Sequence, residues 1–239
     1  MAALATTGTQ LALPVQLPDD ALFTTFEEGN NSELIATLKA LLSVQTQTPL
    51  LYLWGRTGCG KTHLLHAACT AASQAGQQVM YIPLRELTDT AHISLLQGLD
   101  NYDLVCLDDI DAVTHSAVWC DALFALYNRL SDSEGCRLLI SARNSASAIE
   151  VALPDLRSRL QAAAPYAIKL LSDEAKVKAL QTHAEARGLQ LEGEVGHFML
   201  QRLSRDMHEL MTVLNRLDKA SMAEQRRLTV PFVKKTLSI

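Results

Sequence analysis

The spacing of apolar residues changes near residue 171 of this chain. Before that point, short apolar runs alternate with segments whose apolar residues recur at helical spacing, which is typical of parallel strands joined by helices. Because the runs are apolar throughout, we expect an α/β fold with a five-stranded, mostly parallel sheet that carries helices on both faces. The pattern predicts strands at 50–54, 78–83, 103–107, 137–141 and 166–170, with helices at 32–42, 62–75, 89–96 and 116–130.

Only helical spacing follows residue 171, with helices predicted at 172–187, 193–203, 206–220 and from 230 to the end. Ser172 before two acidic residues is a typical helix start, and Gly188 is a typical helix stop. We therefore expect a flexible N-terminal arm at 1–20, an α/β domain at 21–171 and a small all-α domain at 172–239.

Composition narrows the class of protein. The formal net charge of −5 argues against a broad basic surface, and so against tight DNA binding by this chain alone. The five cysteines form no C-x-x-C pair, which indicates reduced thiols. Neither a signal peptide nor an apolar stretch of about 18 residues is present, so we expect a cytoplasmic protein with no membrane contact.

The segment from Gly55 to Thr62 reads G-x-x-x-x-G-K-T and stands between a predicted strand and a predicted helix. In that context the backbone N–H groups of the loop and of the helix N-terminus converge on phosphate oxygens. Gly55, Gly58 and Gly60 permit the tight turn, Lys61 reaches the terminal phosphates, and the Thr62 hydroxyl ligates Mg²⁺. The sequence therefore predicts a bound nucleotide.

Cys59 and His63 belong to the same predicted nucleotide contacts. Cys59 lies inside the loop, where N–H groups at the helix end would lower the pKa of its thiol; the alternative is a small residue that the loop merely tolerates.

Two carboxylates follow the predicted strand at 103–107. Asp108 and Asp109 stand at its C-terminal end, where open α/β sheets bind ligands. This is a Walker B arrangement: Asp108 would hold the Mg²⁺ that Thr62 also contacts, and Asp109 would orient the attacking water.

Two arginines in the segment 153–160, together with these motifs, make the chain similar to the AAA+ superfamily of P-loop NTPases. That resemblance implies an arginine finger that reaches a neighbouring subunit's nucleotide, with Arg159 the first choice and Arg157 the second. Guanidinium suits the role because it is always charged and forks onto phosphate oxygens. The alternative is a surface arginine paired with Asp155.

The resemblance also implies two sensor residues near the terminal phosphate. The first sensor falls at the end of the fourth strand, where Ser141 and Arg143 are both open choices. The second, an arginine in the family, aligns with His208 in the lid; His208 is only partly charged near neutral pH, so Arg205 is the alternative.

Within the superfamily, residues 16–239 resemble the bacterial initiator DnaA and its relatives. The resemblance is carried by the entry segment from Phe23 to Asn31, the run Lys61–Ala67 and the helix containing 126–129. It implies ADP or ATP as cofactor with Mg²⁺, and a base enclosed near Leu17, Pro18, Phe23 and Phe26. DnaA continues into a DNA-binding domain whereas this chain ends at Ile239, which favours the DnaA-like regulators that inactivate the initiator.

The arm contains a short peptide that is similar to the sliding-clamp docking motif of such regulators, Q-L-x-L-P-aliphatic. Apolar side chains of such a peptide enter a hydrophobic pocket, and its proline reduces the entropy lost on binding. The clamp-binding residues would be Gln10, Leu11, Leu13, Pro14 and Val15.

The resemblance implies a negative regulator of DNA replication initiation. Bound to the clamp and carrying ADP, it would stimulate hydrolysis of DnaA-bound ATP through Arg159, with DnaA and the clamp as partners and DNA reached through the clamp. The main alternative is an autonomous AAA+ ATPase of the helicase-loader type. A P-loop kinase and a DNA-binding initiator fit the sequence less well, and self-association is left open.

Overall fold

The computed structural model of the protein describes residues 20–43, 50–132 and 135–239. The predicted clamp-binding residues Gln10, Leu11, Leu13, Pro14 and Val15 lie outside the described residues, as do Leu17 and Pro18.

Five strands form one parallel sheet in the order β2-β3-β4-β1-β5. The strands are β1 (Leu50–Trp54), β2 (Val79–Pro83), β3 (Leu104–Asp108), β4 (Arg137–Ala142) and β5 (Ala164–Ala167). The helices of the described residues are α1 (Ser32–Ser43), α2 (Lys61–Gln74), α3 (Ala117–Asp132), α4 (Pro154–Ala162), α5 (Asp173–Ala186), α6 (Gly193–Arg202), α7 (Met207–Glu224) and α8 (Val230–Leu237). The predicted fold class is confirmed.

Helices cover both faces of the sheet because side chains of each strand alternate between the faces. Leu51 and Leu53 of β1 pack with α1 and α2 on one face, whereas Leu50 and Tyr52 pack with α3 and α4 on the other. The central strands β3 and β4 are buried along their whole length. This explains the unbroken apolar runs of the sequence.

Three elements differ from the prediction. The last strand was predicted at 166–170 but lies at Ala164–Ala167, because it pairs with β1 and β1 ends at Trp54. Pro165 is tolerated there because β5 is an edge strand. The helix predicted at 89–96 is a 3₁₀ helix, Thr90–Leu96. The segment with the two arginines forms α4, for which the sequence analysis predicted no helix.

The C-terminal helices α5 to α8 have a core of their own. Ser172 caps α5 by accepting a hydrogen bond from the Ala175 N–H at 3.2 Å, and Gly188 follows the helix with a φ of +73°. Asp206 caps α7 in the same way, accepting from the His208 N–H at 2.8 Å. These caps lie at or beside the predicted helix ends.

Across the described residues, no helix combines the length and apolar character needed to cross a membrane.

Candidate functional site

The strand order brings three separate segments of the sequence to one edge of the sheet. Because β4 lies between β1 and β3, the segment after β1, the end of β4 and the end of β3 are neighbours at the C-terminal edge. These are the segments that carry the phosphate loop, Ser141 and Asp108. Parallel strands place all their C-terminal ends on one side, so residues distant in sequence meet there.

The phosphate loop requires glycine at two positions. Gly58 and Gly60 have φ angles of +77° and +99°, in the left-handed region. Neighbouring groups also leave no room for a side chain: a Cβ at Gly60 would lie 2.6 Å from the Phe26 ring, and one at Gly58 would lie 2.8 Å from Oδ2 of Asp206. The entry segment and the N-terminus of α7 therefore close over the loop.

Lys61 is the first residue of α2 and is buried. Its Nζ donates to the Gly55 carbonyl at 3.0 Å. This hydrogen bond joins the end of the phosphate loop to its first residue. Lys61 and Thr62 both line the cavity described below.

Asp108 accepts hydrogen bonds from three hydroxyl groups. Its Oδ2 lies 2.6 Å from Thr62 Oγ1 and 2.8 Å from the Tyr81 hydroxyl, and its Oδ1 accepts from Ser141. Burial, and then the Asp108 charge, raise the pKa of Tyr81, so its hydroxyl keeps its proton. Thr62 and Asp108 thus bring together oxygen donors of the kind that Mg²⁺ prefers.

Asp109 has a positive φ of 54° and turns away from Asp108 toward Arg85. Arg85 Nε donates to Asp109 Oδ2 at 2.6 Å, and its Nη2 lies 4.0 Å from Asp111 Oδ2. The hydrogen bond to Asp109 raises the pKa of Arg85. The sequence analysis missed Arg85, although it follows β2, whose last residue Pro83 pairs with Asp108.

A cavity of about 440 Å³ opens above the loop, between the sheet edge and the C-terminal helices. Its volume is within the range of small-molecule sites. Among the predicted site residues it is lined by Gly58, Cys59, Gly60, Lys61, Thr62, His63, Asp109, Arg143 and His208. The sequence analysis missed the apolar part of the wall that the C-terminal region contributes, namely Leu171, Ala179, Met207 and Met211.

The other predicted contacts divide between this lining and positions outside it. Phe26 lines the cavity, while Phe23 packs against the α1 and α2 side of the core. Gly55 and Ser141 are buried behind the loop. For the second sensor, His208 lines the cavity, whereas Arg205 is 72% exposed with its Nη1 3.5 Å from Asp173 Oδ2.

The first-sensor choices also differ in geometry. Ser141 Oγ donates to Asp108 and accepts from the Asp109 N–H at 2.8 Å, so it orders the carboxylate pair. Arg143 is exposed, lines the cavity, and its N–H donates to Asp111 Oδ1 at 3.2 Å.

Cys59 does not have the lowered pKa that its loop position predicted. Burial raises the pKa of its thiol, and this outweighs the Lys61 charge and the backbone hydrogen bonds that lower it. A Cβ at Gly55 would lie 2.7 Å from Cys59 Sγ, so the thiol fills the inside of the loop.

A histidine pair, His63 and the buried His183, joins the loop helix to the C-terminal region. His63 Nε2 donates to the Leu22 carbonyl at 2.8 Å, and its ring centroid lies 5.4 Å from that of His183. Burial lowers the pKa of His63 to about 4. His183 Nδ1 lies 3.1 Å from Asp20 Oδ2, which Arg187 also contacts.

Arg159 lies on α4, away from the cavity above the loop. Its guanidinium carbon is 5.3 Å from the centroid of the Tyr127 ring, and it lines a small surface cavity with Phe124 and Asp155. Arg157 instead donates from Nη2 to the Val151 carbonyl at 3.1 Å. Both side chains are exposed.

The larger part of the chain matches the model of a known protein family. Residues 17–165 match the model of the bacterial DnaA ATPase domain. The chain belongs to this DnaA family. Residues 173–237 match a second model, the lid domain of Hda. The two matches together make the chain a DnaA-related AAA+ replication regulator with an Hda-type lid, α5 to α8.

Solved structures share the fold. Domain III of the replication initiation protein DnaA from Thermotoga maritima superimposes with a TM-score of 0.80 at 20% identity, covering 93% of this chain and 98% of that one. A replication initiator DnaA bound to AMPPCP and single-stranded DNA gives 0.70 at 20% identity, over 88% and 69%. A RuvB variant of Thermotoga maritima gives 0.61 at 15% identity, over 87% and 67%. The predicted AAA+ architecture is confirmed.

Proposed function

We propose that this DnaA-related protein is a negative regulator of replication initiation that holds ADP and stimulates hydrolysis of DnaA-bound ATP. The observation that carries the proposal is the Hda-type lid joined to a DnaA-type ATPase domain whose phosphate loop is fully formed. In functional terms, 1–20 is the docking arm, 21–171 the nucleotide-binding domain and 172–239 the lid.

The residues present fit an adenine nucleotide with Mg²⁺. The loop from Gly55 to Thr62 would cradle the phosphates, and the apolar wall with Phe26 and Met211 suits a base. Thr62 and Asp108 would hold Mg²⁺, which when bound neutralises charge on the phosphate oxygens. Related DnaA structures bind AMPPCP, which supports an adenine nucleotide.

The protein's own hydrolysis is expected to be weak. Asp109 is the acid that would orient water, and Arg85 holds its Oδ2 at 2.6 Å. His208, at the second sensor position, has an imidazole with at most two N–H donors, whereas the arginine of the family has five. Both features favour a protein that retains its nucleotide.

Arg159 would act on a partner's nucleotide. It is exposed on α4 and is absent from the lining of the chain's own cavity. An arginine finger supplied in trans accelerates hydrolysis by about 10³ to 10⁵ in GTPases, so one residue is sufficient for strong stimulation. The arm residues from Gln10 to Val15 would dock on the sliding clamp and so place the finger on DNA-bound DnaA.

Hydrolysis of DnaA-bound ATP in the presence of clamp-loaded DNA tests the proposal. Arg159→Ala should abolish the stimulation while clamp binding in a pull-down stays intact. Arg157→Ala, two residues earlier on the same helix, is the matched control and should retain stimulation. If Arg159→Ala stimulates like the unmodified protein, the finger is not Arg159.

The docking arm is tested separately. The double variant Gln10→Ala with Leu13→Ala should lose clamp binding in the pull-down, and unchanged binding would remove the arm from the proposal. Steady ATP turnover by the isolated chain, without DnaA or clamp, would instead favour an autonomous ATPase of the helicase-loader type.

A further inference from the structure

Tyr81 contacts Asp108, the carboxylate that is predicted to bind Mg²⁺. It does so from β2, a strand that carries none of the predicted nucleotide-binding motifs. Its hydroxyl donates to Asp108 Oδ2 at 2.8 Å, the same oxygen that Thr62 Oγ1 approaches to 2.6 Å. Oδ1 accepts from Ser141. The carboxylate is therefore held by hydroxyl groups from three separate elements: α2, β2 and β4.

The register of the sheet produces this arrangement. Asp108 pairs with Pro83 of β2, and Tyr81, two residues before Pro83, points to the same face. On the other side Leu107 pairs with Ile140, which places Asp108 beside Ser141 one residue further along both strands. The face is the one that α2 covers, so Thr62 reaches the same carboxylate from above.

His66 keeps the Tyr81 ring in place. The two ring centroids are 4.4 Å apart with the rings at 65°, an edge-to-face contact. His66 lies one turn after Thr62 on α2 and is 8% exposed. Among the described residues its Nε2 has no hydrogen-bond partner, so its contact with Tyr81 is through packing.

We propose that Tyr81 is a positioning residue that fixes the Asp108 carboxylate for Mg²⁺ and thereby sets how much Mg²⁺ the protein needs to hold its nucleotide. The inference rests on the proposed nucleotide-holding function. If the Thr62 hydroxyl turned to ligate Mg²⁺, Tyr81 and Ser141 would still each hold one oxygen of the Asp108 carboxylate. Partners of this kind orient metal ligands, and their removal weakens metal binding by roughly 10- to 100-fold.

The experiment measures ADP affinity of the full chain by calorimetry across a Mg²⁺ titration, and again in EDTA. In Tyr81→Phe the Mg²⁺ concentration for half-maximal tightening of ADP binding should rise roughly tenfold. Affinity in EDTA should stay unchanged. Tyr52→Phe is the matched control, because it removes another buried tyrosine hydroxyl, bonded to the Asn144 carbonyl at 2.9 Å on the opposite face of the sheet.

The possible results distinguish the positioning role of Tyr81 from the nucleotide-holding function of the protein. Superimposable Mg²⁺ curves for Tyr81→Phe and the unmodified protein would overturn the positioning role, as would an affinity loss of equal size with and without Mg²⁺, which marks a purely structural role. No ADP binding by the unmodified protein would overturn the nucleotide-holding function and this inference with it.

Discussion

Arg85 and Asp109 form an ion pair at the C-terminal edge of the sheet, and this pair affects whether Asp109 can activate water. A general base must reach the proton it abstracts, and a carboxylate oxygen that already accepts a hydrogen bond from guanidinium is less accessible to a water molecule. The contact is 2.6 Å, and Asp109 holds it with a left-handed backbone. Aspartate is among the residues that adopt this conformation most readily, which fits its place here.

Removing Arg85 should free this carboxylate. We expect Arg85→Gln to raise ATP turnover by the isolated chain on the order of tenfold, since a general base contributes about 10² to 10⁴ and only part of that would be recovered. Turnover is measured under single-turnover conditions with phosphate release. Arg202→Gln, exposed on α6, is the control. Turnover that stays at the level of the unmodified protein would show that Arg85 does not restrain Asp109.

At the scale of elements, the start of α7 joins the lid to the phosphate loop. Asp206 is the N-cap of α7, and its carboxylate oxygens lie within 2.9 Å of the position that a Cβ at Gly58 would take. One side chain therefore accepts from two of the free N–H groups of the helix, those of His208 and Glu209, and places a negative charge beside the loop. That negative charge would repel the negatively charged phosphates of a bound nucleotide.

The Asp206→Asn variant separates these two roles. Asparagine keeps the cap, so stability should change little, whereas loss of the charge should tighten ADP binding severalfold at low salt. The gain should shrink as salt rises, because exposed charges are screened over about 10 Å at 0.1 M. Glu209→Gln, exposed in the same first turn, is the matched control for charge. Equal ADP affinity for Asp206→Asn and Glu209→Gln would count against the contact.

Over the whole molecule, sequence reasoning predicted the features that depend only on residues close together in the chain. The phosphate loop, the Asp108 strand end and the helix cap at Ser172 follow from neighbouring residues, whereas the Asp206 cap was found only in the structure. Arg85 and Tyr81 were missed because their roles depend on which strand lies beside β3. The 3₁₀ helix at Thr90–Leu96 and the early start of β5 depend likewise on tertiary packing and register.

The entry segment holds the α/β domain to the lid. Asp20 Oδ2 accepts from Arg187 Nε at 3.1 Å and lies 3.1 Å from His183 Nδ1, both on or just after α5. The hydrogen bond from His183 is the largest cause that lowers the pKa of Asp20, with Arg187 next among those that lower it, and together they outweigh burial. Residue 20, the first residue that the structure describes, therefore lies beside the lid.

This link should make stability depend on pH through Asp20. Because its folded pKa lies below the ordinary 3.8, its contribution is complete above that pH and is lost as pH falls toward the folded value. We expect Asp20→Asn to lower the free energy of unfolding by about 1 to 3 kcal/mol at neutral pH, since it leaves the half-buried Arg187 guanidinium without its ionic partner. Urea unfolding at several pH values should show the difference narrowing below 3.8. Asp121→Asn, exposed on α3, is the control, and a difference that stays constant with pH would contradict the ion pair.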